Sequence, residues 1–158
     1  MQKKQSAGIL LYRKAKQNLS LQFFLVHPGG PFWKNKDEGA WSIPKGEFDT
    51  AEAPLEAAIR EFKEETNQLV EGNFIALSPV KQKSGKIIYA FAVEGDIDPA
   101  HLKSNLFEME WPPRSGKMQE FPEVDRGEWF DYDPARTKIN PAQAALVEEL
   151  YNLLNSKQ

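Results

Sequence analysis

The chain has 158 residues, of which 41% are hydrophobic, so we expect one domain over residues 1–158 with a single sizeable core. A formal net charge of −3 gives no basic surface for nucleic acid, and the absence of cysteine excludes disulfides, zinc–thiolate sites and thiol catalysis. No apolar run approaches the ~20 residues that span a bilayer, and no signal sequence follows the basic residues 1–5, so the sequence predicts a cytoplasmic protein without a membrane partner.

Two apolar segments near the N-terminus, residues 6–12 and 21–26, are typical of buried strands. A loop rich in glycine, proline and aromatic residues follows at 27–33. Such loops often shape ligand pockets, although composition favours a plain turn with a hydrophobic plug about equally. Residues 41–45 then predict a short strand that leads into a glycine turn at Gly46.

A helix is predicted after this turn. Pro54 suits its first position, where the missing N–H costs nothing. The side chains that could cap the helix are Asp49, Thr50 and Glu52. An apolar stripe at helical spacing predicts one buried face, formed by Leu55, Ile59, Phe62 and Thr66.

The rest of the chain predicts further strands and a second helix. The strands cover residues 74–80, 86–93, 104–111 and 128–132. Asn140 and Pro141 then begin a C-terminal helix, since both are typical of helix starts. Its apolar stripe consists of Ala144, Leu146 (or Ala145), Leu150, Leu153 and Leu154. This order of elements suits an α/β (α+β) protein with a mixed sheet between helices.

One face of the first helix is acidic. Glu61, Glu64 and Glu65 lie at i, i+3 and i+4, so their carboxylates are neighbours, and each like-charge pair costs roughly 0.2–0.5 kcal/mol when exposed. A hard divalent cation such as Mg²⁺ would remove this repulsion, because it prefers carboxylate oxygens together with substrate phosphates and water. Arg60 and Lys63 could offset the same charge, so an ordinary solvated acidic face is the alternative interpretation.

The spacing of these residues favours a metal site over an ordinary solvated acidic face. Five residues separate Gly46 from Glu52, seven more precede Arg60, and an apolar residue follows Glu61. The full pattern is Gly46, Glu52, Arg60, Glu61, Phe62, Glu64 and Glu65. With it the chain resembles the Nudix hydrolase family, whose box is a glycine loop that enters a helix.

The resemblance fails only at the end of the box. Asn67 stands where the family has glycine, and Gln68 stands where it has an aliphatic residue. The family glycine ends the helix in a left-handed conformation, which asparagine tolerates next best. Leu69 could supply the missing apolar contact one position later.

The resemblance implies an α/β/α sandwich and an enzyme in which water attacks a phosphorus atom of a nucleoside diphosphate-linked substrate. It implies Mg²⁺ as cofactor, with Mn²⁺ as a substitute, and a small-molecule nucleotide as partner. Arg60 would orient box carboxylates such as Glu52 by pairing with them, which differs little from a structural helix salt bridge. The metal ligands that the resemblance implies are Glu61, Glu65, Glu64 and the carbonyl of Gly46.

The catalytic base varies within this family. A box carboxylate, Glu61 or Glu64, could take the proton of the attacking water, and a glutamate from a later loop is the other option. Of the two loop candidates, Glu120 and Glu123, the sequence interpretation prefers Glu120. A solvated acidic loop is the alternative.

Substrate contacts are expected from basic and aromatic residues. Lys45, directly before Gly46, is best placed to hold phosphate oxygens, and Arg114 with Lys117 around a Ser-Gly turn forms a second phosphate site. Trp41 could stack on a base, a contact worth roughly 1–3 kcal/mol, although strand tryptophans more often lie in the core. The other aromatic candidates are Phe32, Trp33 and Trp111. No role is assigned to His27 or His101.

Three functions therefore compete. The first is an Mg²⁺-dependent pyrophosphohydrolase of dinucleoside polyphosphates or nucleoside triphosphates, because residues 41–46 resemble the diadenosine tetraphosphate hydrolase-like branch; a hydrolase that sanitises modified nucleotides is its enzymatic alternative. The second is a non-catalytic nucleotide sensor, which loss of box carboxylates would indicate, but all three are present. The third is an unrelated α/β protein with an acidic helix. The sequence makes no prediction of oligomeric state.

Overall fold

The computed structural model describes residues 4–156, so part of the basic N-terminal segment lies outside the described residues. In chain order the strands are β1 (Gln5–Lys14), β2 (Leu21–Pro28), β3 (Lys45–Phe48), β4 (Ile75–Ala76), β5 (Val80–Lys81), β6 (Ile87–Glu94), β7 (Leu106–Glu110), β8 (Met118–Pro122) and β9 (Val124–Asp131). The helices are α1 (Pro54–Thr66), α2 (Tyr132–Lys138) and α3 (Ala144–Asn155), with 3₁₀ turns at Pro99–His101 and Pro141–Gln143.

The main sheet is mixed. Its strand order is β4-β6-β1-β2-β9, with β3 paired to β1 and β5 paired to β6. Strands β1 and β6 are parallel, whereas β2 and β3 pair with β1 in the antiparallel sense. Strands β7 and β8 form a separate two-stranded hairpin.

Helices cover both faces of this sheet. Successive side chains of a strand point to opposite faces, so Ile9 and Leu11 pack on one side with Phe62 of α1. Leu10 and its neighbours pack on the other side with α2 and with Leu146 of α3. The predicted α/β/α sandwich with a mixed sheet is confirmed. None of the helices within residues 4–156 has the length and apolarity needed to cross a membrane.

Residues 41–45 do not form the predicted strand. Trp41 and Ser42 make only isolated bridges, and the strand begins at Lys45 and runs through Gly46 instead of turning there. Pro44 explains the interruption, because it has no N–H to give to a ladder, although its carbonyl accepts a hydrogen bond from Ile9 at 3.1 Å.

The segment 74–80 is likewise divided. Strands β4 and β5, of two residues each, both pair with β6. Between them Pro79 lacks an N–H, and the Ser78 N–H donates to the Glu149 carboxylate of α3 at 2.8 Å. Two further elements, β8 and α2, were not predicted. The strand predicted at 128–132 is the end of β9, and α2 begins at Tyr132 with Pro134 in its first turn.

Helix α1 has the predicted ends but not the predicted cap. Pro54 opens it, and Asn67 ends it in a left-handed conformation (φ 60°, ψ 28°) with its N–H donating to the Lys63 carbonyl at 2.7 Å. Ala53 occupies the N-cap position and makes no side-chain bond. The carboxylate of Asp49 accepts a hydrogen bond within its own turn instead, so the predicted side-chain cap is wrong.

Candidate active site

Three carboxylates, two of them from α1, gather around the guanidinium of Arg60. Arg60 binds Glu52 through two hydrogen bonds, Nη2 to Oε1 at 2.8 Å and Nε to Oε2 at 2.9 Å. Its Nη1 donates to Glu61 at 2.8 Å and to Glu64 at 3.1 Å. These bonds, above all those to Glu52, hold the pKa of Arg60 above its ordinary value. Arg60 therefore supplies positive charge to the acidic face, and the pairing with Glu52 is present.

Gly46 of β3 lies directly against this face. A Cβ at Gly46 would be 2.0 Å from Oε2 of Glu61 and 2.1 Å from its carboxyl carbon, so only glycine lets the carboxylate lie here. Glu61 is 8% exposed. Burial, followed by repulsion from Glu64, raises the pKa of Glu61 in spite of its bond to Arg60. The glycine thus makes room for a largely buried carboxylate.

Glu65 points to the preceding residue of the same strand. Its Oε1 accepts a hydrogen bond from the Lys45 backbone N–H at 3.2 Å. Burial raises the pKa of Glu65 to about 8, because this bond and the charge of Lys45 offset only part of the desolvation. Burial also lowers the pKa of the Lys45 ammonium group, an effect that the charge of Glu65 opposes.

Glu123, in the loop between β8 and β9, joins the same acidic cluster. Its N–H donates to the Asn105 carbonyl at 2.9 Å, and the Asn105 N–H donates to the Glu64 carbonyl of α1 at 3.0 Å. Burial and then the charge of Glu64 raise the pKa of Glu123. The Glu123 charge in turn raises the pKa of Glu61 and of Glu65.

A cleft of about 220 Å³ lies beside this cluster. Lys45, Glu65 and Glu123 contribute its charged groups, and Asn140 and Gln143, at the start of the α3 segment, contribute amides. The remaining lining residues are Val26, Pro28, Trp33, Ala40, Ser42, Ile43, Gln82 and Val124. The loop predicted at 27–33 therefore helps to shape this cleft.

The donor set suits a hard cation, since it consists of carboxylate oxygens beside a gap that only glycine leaves. Within residues 4–156, however, no three acidic, histidine or cysteine side chains converge as metal ligands. The reason is that Arg60 draws Glu61 and Glu64 to itself, while Glu65 accepts from the Lys45 N–H. A cation would relieve the repulsion from Glu64 that, after burial, raises the pKa of Glu61. The donor chemistry therefore fits a cation, although the side chains are turned toward Arg60 in this structure.

The family is decided by a sequence comparison. The family model described as NUDIX domain matches residues 2–150. The chain belongs to the NUDIX family. No curated protein matches the sequence.

Solved structures share the NUDIX fold of this chain at low sequence identity. A C. elegans Ap4A hydrolase in a binary complex has 20% identity and a TM-score of 0.64, covering 96% of this chain and 98% of its own. The NUDIX domain of Shewanella oneidensis NrtR, complexed with ADP ribose, has 15% identity and a TM-score of 0.68, covering 98% and 90%. A mutT/nudix family protein from Listeria innocua has 17% identity and a TM-score of 0.66, covering 99% and 97%.

The predicted substrate contact at Trp41 of this NUDIX chain is wrong. Trp41 is 1% exposed, its indole N–H donates to Asp37 at 2.8 Å, and its ring makes edge contacts with His27 and Phe130. No face of the indole is open to a base. Trp33, by contrast, lines the cleft.

The second predicted phosphate site, at Arg114 and Lys117, does not lie near the residues of the NUDIX box. Arg114 and Lys117 lie in the exposed turn of the β7–β8 hairpin, beyond the Glu110–Met118 pair. The other end of the hairpin, at Leu106, is the end that is bonded to α1 through Asn105. At about 3.4 Å per residue, the Glu110–Met118 pair lies roughly 14 Å away from that end. Neither side chain lines the cleft, so the prediction of a phosphate cradle at Arg114 and Lys117 is not supported.

The preferred loop glutamate also needs correction. Glu120 is exposed on β8, where it pairs with Glu108, and it does not line the cleft. Glu123 lies three residues further and is the loop glutamate whose charge raises the pKa of Glu61 and of Glu65. The structure therefore favours Glu123 over Glu120.

Sequence reasoning missed the three amide residues that line the cleft, Gln82, Asn140 and Gln143. It predicted Asn140 only as a helix start, and Gln143 belongs to no motif. Of the histidines, His27 is buried and binds Asp125 at 2.9 Å and the Lys36 carbonyl at 2.6 Å, which anchors the cleft-forming loop. His101 is exposed.

The raised pKa of Glu65 makes a prediction about stability. The folded chain holds a proton at Glu65 up to its pKa of about 8, whereas the unfolded chain loses that proton near the ordinary glutamate pKa of 4.5. Stability in EDTA should therefore fall as pH rises from about 5.5 to 8.5, by on the order of 2 kcal/mol, or roughly 4–8 °C in Tm. Thermal melts across this range measure the slope. Glu65→Gln should reduce the slope, leaving the part that the raised pKa values of Glu61 and Glu123 contribute, while the exposed Glu71→Gln should not change it. An unchanged slope in Glu65→Gln would reject the assignment.

Proposed function

We propose that this NUDIX chain is a divalent-metal-dependent pyrophosphohydrolase that cleaves a nucleoside diphosphate-linked substrate by attack of water. The observation that carries the proposal is the cluster of Glu61, Glu64, Glu65 and Glu123, in which Glu61 lies against Gly46 and both Glu65 and Glu123 line the cleft. Two of the similar structures, an Ap4A hydrolase and a NUDIX domain complexed with ADP ribose, agree with substrates of this class.

Each residue of the cluster has a part in this proposal. Glu61, Glu64, Glu65 and the carbonyl of Gly46 would hold the cation. When bound, Mg²⁺, or Mn²⁺ in its place, neutralises polyphosphate oxygens and lowers the pKa of water. If Glu61 and Glu64 turn from Arg60 to the cation, Arg60 keeps its two hydrogen bonds to Glu52 and stays in its present position. Lys45, in the same cleft, would pair with phosphate oxygens.

Glu123 is the proposed general base. Burial and the Glu64 charge raise its pKa, and a base works best when its pKa approaches the working pH. Glu123 also lines the cleft together with Glu65, and it comes from the loop between β8 and β9 and not from the element that carries the proposed carboxylate ligands, which supports its role as a separate proton acceptor.

The choice between the two loop glutamates can be measured directly. Glu123→Gln should lower kcat by roughly 10²-fold or more, the usual contribution of a positioned base. Glu120→Gln makes the same chemical change three residues away on an exposed strand and should remain near wild type. The two kcat values, measured at saturating Mg²⁺, decide the question. A large loss in Glu120→Gln with little in Glu123→Gln would reverse it.

The function itself is tested with a substrate panel. Purified protein is incubated with diadenosine tetraphosphate, ADP-ribose and nucleoside triphosphates, in Mg²⁺ and in EDTA, and the products are identified by mass spectrometry in H₂¹⁸O. Hydrolysis in Mg²⁺ alone, with ¹⁸O in a phosphate product, is expected and also names the bond broken. Tight binding of a nucleotide without turnover would instead support the non-catalytic sensor.

A further inference from the structure

His27 is a buried histidine whose two ring nitrogens both contact oxygen atoms. It is 0% exposed, and its Nδ1 lies 2.9 and 3.1 Å from the two carboxylate oxygens of Asp125. Its Nε2 lies 2.6 Å from the carbonyl oxygen of Lys36. A carbonyl oxygen can only accept, so Nε2 must carry a proton. A neutral ring would then turn the lone pair of Nδ1 toward a carboxylate, so the contact with Asp125 requires a second proton on Nδ1. This geometry is that of an imidazolium paired with a carboxylate.

The charges around the ring agree with this protonation state. In the described part of the chain, Asp125 is the only carboxylate bonded to His27. The other charged groups around the ring and the adjoining Trp41 have partners of their own: Arg126 lies over the Trp41 ring, Asp37 pairs with Lys138, and the Lys36 ammonium lies over the Phe32 ring. A buried cation needs a partner of opposite charge, and Asp125 supplies it.

Asp125 reaches His27 because β9 has a bulge at this point. In the register of β2 with β9, His27 lies opposite Arg126, and Pro28 lies opposite Val124. Asp125 is therefore an extra residue that has no partner on β2. A bulge redirects a side chain and is common beside active sites. Here it places the Asp125 carboxylate against the buried ring.

The bulge lies next to Glu123, the proposed general base. Glu123 comes two residues before Asp125, and its carbonyl accepts a hydrogen bond from the Gly29 N–H at 3.0 Å. A Cβ at Gly29 would lie 2.0 Å from the Pro122 carbonyl oxygen, so the two segments are in close backbone contact. The main chain around Glu123 is therefore bonded to the segment that begins at His27.

We propose that His27 is a positioning residue for Glu123, because its two N–H groups tie the bulge of β9 to the loop of residues 29–40. The inference rests on the proposed function, in which Glu123 is the general base. One N–H holds Asp125, and the other holds the Lys36 carbonyl of the loop whose Trp33 lines the cleft. A ring with one proton can make only one of these bonds. A base must lie within hydrogen-bond reach of the attacking water, and a displacement of about 1 Å can lower the rate by roughly 10²-fold.

NMR tests the protonation state. The chain has two histidines, and the exposed His101 serves as an internal reference. At about pH 7.5, ¹H–¹⁵N spectra should show protons on both ring nitrogens of His27, whereas His101 should show one, as an exposed imidazole does. Asp125→Asn should leave His27 with a single proton on Nε2, because an amide can turn its NH₂ group toward Nδ1. A single proton on His27 in the wild-type protein would overturn the proposal.

Kinetics test the link to Glu123. The variant used is Asp125→Asn, because replacing the fully buried His27 would also remove core packing. It should lower kcat by roughly tenfold or more and change KM by less than about twofold, since a base acts on the attacking water and not on substrate binding. The exposed Asp133→Asn makes the same chemical change on α2 and should leave kcat near that of wild type.

A double variant shows whether the loss passes through the base. With Glu123→Gln already present, Asp125→Asn should cause no further loss of kcat. Full kcat in Asp125→Asn, or losses that multiply in the double variant, would overturn the positioning role and leave the hydrolase intact.

Failure of the proposed function would look different. If the wild-type protein hydrolyses no nucleotide, the proposed function fails, and backbone amide spectra still test the tie. Asp125→Asn should then shift the amide resonances of Gly29 and Glu123, while Asp133→Asn should not. Unmoved resonances at both positions would overturn the inference.

Discussion

Glu65→Gln and Glu64→Gln should each lower kcat by roughly 10²–10⁴-fold while the protein stays folded. Glutamine keeps the size of the side chain, and at position 65 its oxygen can still accept from the Lys45 N–H. Each substitution removes a carboxylate that could give a hard cation its negative charge, at position 65 once the cation has displaced the proton. Steady-state kinetics over a Mg²⁺ titration, with circular dichroism for the fold, measure both effects.

A matched control lies on the same helix. Glu56 is an exposed glutamate in the first turn of α1, outside the acidic cluster, so Glu56→Gln makes the same chemical change without touching a proposed ligand. Its kcat should stay within about twofold of wild type, as for most surface changes. Turnover near that of wild type in both Glu64→Gln and Glu65→Gln would reject the metal assignment.

Gly46→Ala should abolish most activity with little loss of stability. The added Cβ would lie 2.0 Å from Oε2 of Glu61, so the two groups cannot keep their present positions. The carboxylate is the end of a flexible side chain and can swing away, while the backbone of Gly46 stays paired with Ala7. We expect a loss of roughly 10²-fold or more in kcat, and a change of about 1 kcal/mol or less in unfolding free energy.

A double-mutant cycle shows whether the loss acts through Glu61. If Gly46→Ala works only by displacing this carboxylate, then Gly46→Ala combined with Glu61→Gln should be no slower than Glu61→Gln alone. Additive losses would mean that the methyl group harms something else in the site. Full activity in Gly46→Ala would show that Glu61 need not lie against the strand.

The sequence predicted best what local chemistry determines. Pro54 and Asn67 mark the ends of α1 by their own backbone preferences, and the carboxylates of α1 share a face because helical spacing places them there. Trp41 was harder, because an aromatic residue near a strand suits either the core or a ligand, and its contacts come from residues as distant as Phe130.

Long-range pairing explains the other errors. Ile43 and Gln143 are 100 positions apart and meet only when α3 packs on the sheet, so no local signal marks Gln143 as a cleft residue. The choice between Glu120 and Glu123 depends on where β8 ends. Because β8 was not predicted, the exposed position of Glu120 and the remote turn holding Arg114 could not be foreseen.

The backbone bonds between α1 and the Glu123 loop couple the two halves of the acidic cluster mechanically. The Asn105 N–H donates to the Glu64 carbonyl at 3.0 Å, and the Glu123 N–H donates to the Asn105 carbonyl at 2.9 Å. A second bond between the same loop and α1 runs from the Lys103 N–H to the Thr66 carbonyl at 3.3 Å. A displacement of the last turn of α1 should therefore move Glu123 with it. These backbone bonds fix the distance between α1 and the Glu123 loop. The glutamate side chains can therefore rotate from one hydrogen-bond partner to another while the main chain that carries them stays in place.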